Sequence, residues 1–147
     1  MSASRLRYAI ALLALIAIPE RAAADPLDAV RGWNLLGTWA PDCEKPPALD
    51  NAHATYVQRG RSVHLDRNFG GGSDSHPIVA ASAQTDGTLS ISIAFSNPPQ
   101  TRVNVFAKGT DGRIRTLASH DGKGRYSVRN GRLVGADRPT EWLSRCN

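Results

Sequence analysis

The sequence predicts an all-β domain, an antiparallel up-and-down meander of about eight to ten short strands that closes into a small barrel. Segments rich in β-branched and aromatic residues recur roughly every eight to twelve positions. Asp-Gly or Asn-Gly pairs, which favour tight hairpins, separate many of them, at 86–87, 111–112, 121–122 and 130–131. Residues 88–95 alternate between large apolar side chains and small ones, which are Thr, Ser, Ser and Ala. Short connections favour a barrel over a sandwich, because a Greek key needs a long crossing.

Residues 1–24 have the pattern of a signal peptide. Arg5 and Arg7 precede an apolar run from Tyr8 to Ile18, and Ala22 to Ala24 provides the small residues that precede a cleavage site. The run is shorter than the roughly 20 residues that a membrane-spanning helix needs. We therefore expect a single exported domain over residues 25–147, located in the periplasm or secreted.

The first half of this domain contains one predicted helical turn, three strands and two longer connections. In chain order they are the turn Pro26–Arg31, the strand Trp33–Ala40, the Pro-rich connection Pro41–Asn51, the strands His53–Arg59 and Ser62–Arg67 around Gly60, and the loop Asn68–Ser75. The three glycines at 70–72 predict that this last loop is too flexible to be a strand.

The second half continues the meander. The predicted strands are Pro77–Gln84, Thr88–Phe95, Thr101–Lys108, Arg113–Ser119, Arg125–Arg129 and Arg132–Val134, followed by the tail Thr140–Cys146. In Thr101–Lys108 the alternation predicts that Val103, Val105 and Ala107 face inward. Trp142 and Leu143 are predicted to return to the core.

The chain has two cysteines, Cys43 and Cys146. An even number of cysteines in an exported protein indicates a disulfide, which here ties the start of the domain to its last residues. Neither cysteine belongs to a CxxC pair, so a structural bond is favoured over a redox role.

Gly37-Thr38-Trp39 resembles the Gly-x-Trp signature at the start of lipocalin barrels. The resemblance implies that Trp39 plugs the closed end of the barrel and that Arg145 packs over its ring. Residues 36–43 together with 142–146 are similar to small exported lipocalin-like proteins of proteobacteria, whose families have no assigned activity. The resemblance implies an architecture and no reaction.

Two groups of residues combine side chains that could bind a metal or catalyse hydrolysis. His64 and Asp66 share one face of a strand and would suit a metal ion, but no third ligand has a supporting spacing, and a solvated face is favoured. Ser73, Asp74, Ser75 and His76 bring together the residue types of a hydrolase. Adjacent residues in a loop rarely reach the required geometry, and the Gly-x-Ser-x-Gly elbow is missing.

The candidate binding residues lie in two places. The loop offers Phe69, Gly70, Gly71, Gly72, Asp74 and His76, because long loops on a rigid barrel commonly carry recognition. The second place is the polar face of Thr101–Lys108, where Phe106 accompanies Arg102 and Asn104 and is expected to be exposed.

The charge composition narrows the range of possible functions further. The net charge of the 147-residue chain is +5, without a run of basic residues that would indicate a nucleic-acid-binding tract. We therefore expect a non-catalytic binding module for an apolar small molecule or a protein partner, with no cofactor, metal, nucleic acid or membrane insertion after signal cleavage. The alternative is an exported inhibitor or envelope-interaction protein that acts through its loops, chiefly 68–75 and 97–100.

Overall fold

The computed structural model describes residues 25–147, so the predicted signal peptide lies outside the described residues. The chain forms one short helix followed by an antiparallel meander of ten strands. The elements are α1 (Pro26–Gly32), β1 (Gly37–Ala40), β2 (His53–Arg59), β3 (Ser62–Asn68), β4 (Ser73–Ala83), β5 (Leu89–Ser96), β6 (Pro99–Lys108), β7 (Ile114–Asp121), β8 (Tyr126–Arg129), β9 (Arg132–Leu133) and β10 (Ser144–Cys146).

The strands pair with their chain neighbours from β1 to β9, and β10 pairs with the free side of β1. The sheet therefore ends at β10 and β9, and within residues 25–147 no ladder joins these two strands. The predicted meander is confirmed, but the sheet is not closed into the predicted barrel. A single bridge of two backbone hydrogen bonds connects Ile114, at the start of β7, to Leu143, directly before β10.

Helix α1 closes one end of the sheet. Asp25 caps it by accepting a hydrogen bond from the Leu27 amide, and Pro26 occupies the first turn, where its missing N–H costs nothing. Leu27 and Val30 are buried against β3, β4 and β5. The predicted helical turn is confirmed. Within the described residues no helix is long and apolar enough to cross a membrane.

The core lies on the inner face of a strongly curled sheet. Leu89, Ile91 and Ile93 of β5 are fully buried, as their alternation predicts. The rings of Tyr56 on β2 and Phe106 on β6 meet edge to face at 6.1 Å between centroids, although three strands separate them. The two inner faces therefore pack against each other at the level of these two rings.

Two predictions about the ends of the chain are confirmed. Cys43 and Cys146 form a disulfide, which indicates a non-cytoplasmic compartment. Trp39 is buried, and the Arg145 guanidinium carbon lies 5.3 Å from its ring centroid. Trp39 also donates a hydrogen bond from Nε1 to the Leu35 carbonyl at 2.7 Å.

The face assignment of β6 was wrong. Its register pairs Phe106 with Leu89 and Asn104 with Ile91, so Phe106, Asn104 and Arg102 face inward while Val103 and Val105 lie on the outer face. Phe106 is only 2% exposed. The alternation correctly separated the two faces, but both contain apolar and polar residues, and the neighbouring strand decides which one is buried.

Two boundaries also differ from the prediction. Trp33 is the C-cap of α1, so the first strand begins at Gly37. The loop predicted over Asn68–Ser75 is only a four-residue turn, because β3 extends to Asn68 and β4 begins at Ser73. Asn68 and Ser73 pair directly, and the Phe69 amide donates to the Gly72 carbonyl at 2.9 Å. The glycines therefore form a tight hydrogen-bonded hairpin turn.

Candidate functional site

The end of the sheet opposite α1, called here the loop end, carries the β3–β4 turn (69–72) and the connection between β1 and β2 (41–52). An open depression of about 680 Å³ lies between them. It is lined by Pro47, Ala48, Leu49, Phe69, Gly70, Gly71 and Gly72. Leu49 is 89% exposed, the highest exposure of any large apolar side chain in the described residues. The predicted residues Phe69 and Gly70–Gly72 therefore form one wall of this depression.

A close backbone contact fixes the two walls. Gly70 has φ +81°, and a Cβ at this position would overlap the carbonyl oxygen of Pro47. Only glycine allows both this conformation and this approach. Gly71 and Gly72 have open space where a Cβ would lie.

The connection is held from within by Asn51, which is 6% exposed. Its Nδ2 donates to the carbonyl oxygens of Asp42, Lys45 and Pro46, and its Oδ1 accepts from the Asp42 amide. One buried amide thus contacts four backbone groups of a segment without regular structure, its two N–H protons being shared among three carbonyl oxygens. Sequence analysis missed Asn51, because an asparagine after a Pro-rich stretch has no pattern that distinguishes it from a surface residue.

Beside this depression, three charged or titratable side chains form a cluster on the inner face. Arg67 Nε donates to Asp74 Oδ1 at 2.8 Å, and His76 Nε2 lies 3.1 Å from Asp74 Oδ2. The Arg67 guanidinium beside Asp74 holds the pKa of that carboxyl below its usual range. The Phe69 and Phe95 rings each lie 5.2 Å from the Arg67 guanidinium carbon. The structure therefore brings together three of the predicted binding residues, Phe69, Asp74 and His76.

Side chains alternate between the two faces along β4, and this places the two nearby serines on the face opposite His76. Asp74 and His76 face inward, whereas Ser75 lies on the outer face and donates from Oγ to Asp66 Oδ1 at 2.6 Å. Ser73 is exposed on that outer face as well. The arrangement of Ser, Asp and His that a nucleophilic hydrolase needs is therefore not formed by these four residues.

His64 and Asp66 lie on the outer face of β3, as expected. Val63, before His64, and Leu65, between the two, are buried. Arg59 binds Asp66 and lowers the pKa of its carboxyl. Over residues 25–147 no group of three or more His, Cys, Asp or Glu side chains is arranged to hold a metal ion.

The inner face of β6 holds the other predicted binding residues. Arg102 Nη2 donates to the hydroxyls of Ser119 and Ser127, at 3.1 and 2.6 Å. Asn104 Oδ1 is buried and lacks a hydrogen-bond partner among the described residues. Phe106 belongs to the core and is not available on the surface.

A second depression, of about 410 Å³, lies between the β1–β2 connection and the part of the chain from β7 to the segment before β10. Pro41, Asp50 and Ala52 line it on one side, and Leu133, Arg138 and Leu143 on the other. Leu49 also lines this depression. The exposed leucine therefore stands between the two depressions, the first lined by apolar side chains and glycines and the second by apolar and charged residues together.

Comparison of the chain with known protein families, curated protein sequences and solved structures gives no match. The likeness to lipocalin-like exported proteins stays a prediction.

Proposed function

We propose that this protein is an exported, non-catalytic binding module that recognises a protein partner at the loop end. The observation that carries the proposal is the exposed Leu49 between two recesses. An exposed apolar side chain that is continuous with a concave apolar lining, here Pro47, Ala48 and Phe69, marks a candidate protein contact site. The disulfide indicates a non-cytoplasmic compartment, and we propose the periplasm or the extracellular medium.

The architecture that supports this role is a lipocalin-like, nearly closed barrel. The stacking of Arg145 on Trp39 supports this proposal, as does the Ile114–Leu143 bridge, which connects β7 to the segment before β10. A rigid sheet with α1 packed into one end would present the loop end as a fixed surface. An inhibitor or an envelope-interaction protein would use the same surface.

The experiment is native mass spectrometry of the protein purified from the exported fraction of its own host. The proposed contact surface is altered by Leu49→Asp, and the matched control is Val79→Asp, because Val79 is also an exposed apolar residue, at 54%, but lies on β4. We expect a co-purified protein that is lost with Leu49→Asp and kept with Val79→Asp. Equal retention by both variants would contradict the proposed surface.

An apolar small ligand inside the curled sheet is a second candidate, favoured by one specific observation. The buried Asn104 Oδ1 has no donor among the described residues, and a ligand hydroxyl or amide would supply one. This candidate predicts a bound small molecule in the native mass spectrum that Asn104→Leu removes.

A further inference from the structure

The basic residues are distributed unevenly along the described chain. Residues 109–147 contain eight Arg or Lys against four Asp or Glu, whereas residues 25–108 contain seven against eight. The positive excess therefore belongs to the part of the chain that forms β7, β8, β9 and the tail.

Arginines in this part pack on aromatic rings. The Arg115 guanidinium carbon lies 4.9 Å from the Trp142 ring centroid, and that of Arg113 lies 5.8 Å from the same ring. On the neighbouring hairpin, the Arg129 guanidinium carbon lies 4.4 Å from the Tyr126 ring centroid. Stacked guanidinium groups are held in a fixed orientation and keep donor N–H groups at their edges.

The two stacks belong to one surface. A Cβ at Gly131 would contact both Arg115 and Leu117, at 3.4 and 3.5 Å. Leu117 in turn lines one shallow depression together with Tyr126 and Arg129. We call this surface, formed by Arg113, Arg115, Leu117, Tyr126, Arg129 and Trp142, the basic aromatic face.

Two arginines of this face have guanidinium N–H donors that are available to a ligand. Arg113 is paired with Asp111, but Arg115 and Arg129 form no ion pair with a carboxylate of the described residues. Arg129 is exposed, whereas Arg115 is half-buried and its Nε is shielded from solvent, without an acceptor in residues 25–147. Planar guanidinium groups that lack carboxylates match the geometry of phosphate oxygens.

We propose that the basic aromatic face binds the anionic headgroups of a phospholipid membrane surface. Arginine supplies the phosphate contacts, and Trp and Tyr favour the headgroup level, where one end of the ring is apolar and the other wet. Val134 directly follows β9, whose Arg132 pairs in register with Arg129 of this face, and it is 56% exposed. An exposed apolar side chain beside the stacked rings suits a lipid surface better than a free anion. The contact is peripheral and independent of the surface around Leu49.

The first test is sedimentation with vesicles of phosphatidylcholine, alone or with about one third phosphatidylglycerol. We expect binding to the anionic vesicles only, and weaker binding at high salt. The double variant Arg115→Gln/Arg129→Gln should bind about 30-fold more weakly, since each basic residue near an anionic surface contributes a factor of about five. The matched control Arg31→Gln/Arg61→Gln removes the same charge from exposed positions elsewhere and should retain most of the binding.

The second test uses tryptophan fluorescence. Trp33 and Trp39 are buried, at 8% and 3% exposure, so a blue shift on adding anionic vesicles would report Trp142. We expect the shift in the wild-type protein and its loss in Trp142→Phe, which removes the reporting indole from the basic aromatic face.

Three outcomes would overturn the proposal. They are equal binding to neutral and anionic vesicles, an equal loss of binding in the two double variants, and binding to a soluble sulfated polysaccharide without binding to anionic vesicles. The last would identify a polyanionic glycan as the partner. Leu49→Asp should leave vesicle binding unchanged, so failure of the membrane proposal is distinguishable from failure of the proposed protein contact.

Discussion

The two ends of the curled sheet are stabilised in different ways. At the helix end, Leu27, Val30 and Leu35 are buried, and hydrophobic packing closes the structure. At the loop end, Asn51, the Gly70 contact and the Cys43–Cys146 disulfide hold the connection in place, while Leu49 remains exposed. Because hydrogen bonds and a covalent bond fix this end, its apolar side chains need not be buried to keep their positions. Apolar residues that do not contribute to folding stability are free to contribute to recognition.

Removing the disulfide tests the comparison most strongly. The double variant Cys43→Ala/Cys146→Ala should lower the free energy of unfolding by about 4 kcal/mol, because the bond closes a loop of 103 residues in the unfolded chain. Denaturant titration measures this loss. Hydrogen exchange should rise more in residues 41–52 than in α1, and equal increases would contradict the assignment of the bond to the loop end.

Truncation of an apolar side chain should lower the unfolding free energy more at the helix end than at the loop end. Leu35 is fully buried, so Leu35→Ala should cost about 3 kcal/mol. Phe69→Ala, at the rim of the loop-end depression, should cost no more than about 1 kcal/mol, since this side chain is only half-buried. Similar losses in thermal and denaturant unfolding would show that packing stabilises both ends alike.

Among the three glycines of the β3–β4 turn, only the first should be sensitive to a methyl group. Gly70→Ala should destabilise the protein by about 2 kcal/mol, because the positive φ and the overlap with the Pro47 carbonyl both oppose a Cβ. Gly71→Ala is the matched control and should change stability by less than about 0.5 kcal/mol. An unchanged unfolding midpoint for Gly70→Ala would mean that the walls of the depression are not fixed by this contact.

The smallest expected effect is on the stability of the protein at low pH. Asp121, at the β7–β8 turn, accepts hydrogen bonds from the Arg125 and Lys123 amides and from Arg125 Nε, which lower its pKa from 3.8 to about 2. A carboxyl with a lowered pKa in the folded protein stabilises it fully above pH 3.8, and this contribution is lost as the pH falls towards 2. Asp121→Asn should therefore weaken the pH dependence of the unfolding free energy between pH 4 and pH 2. Above pH 5 the substitution should change this pH dependence less. An unchanged acid limb of the stability profile would argue against this cause.

The sequence was most informative where one physical rule acted alone. Leu89, Ile91 and Ile93 alternate with small polar residues, and the inner face of β5 follows directly from that pattern. In β6 both faces are mixed, and only pairing with β5 places Phe106 inside. Local alternation separates the two faces of a strand but does not show which face the neighbouring strands bury.

The loop end was predicted only in part for a related reason. Gly70 to Gly72 indicated a turn, but the same glycines led us to expect mobility where Asn68 and Ser73 pair across a tight hairpin. The contact of Gly70 with Pro47 and the role of Asn51 join segments that sequence spacing leaves unconnected. Leu49, the centre of the proposed surface, lies in a Pro-rich connection without a periodic pattern. Its exposure depends on how that connection folds back.

The position of β1 between β2 and β10 also constrains the order of folding. Thr38 pairs with Cys146, so β1 acquires its second neighbour only when β10 is available. Contacts between such distant positions form slowly, because the intervening loop must close first. Because Cys43 and Cys146 are 103 positions apart, the β1–β10 ladder and the disulfide complete the fold only once the whole intervening meander is available.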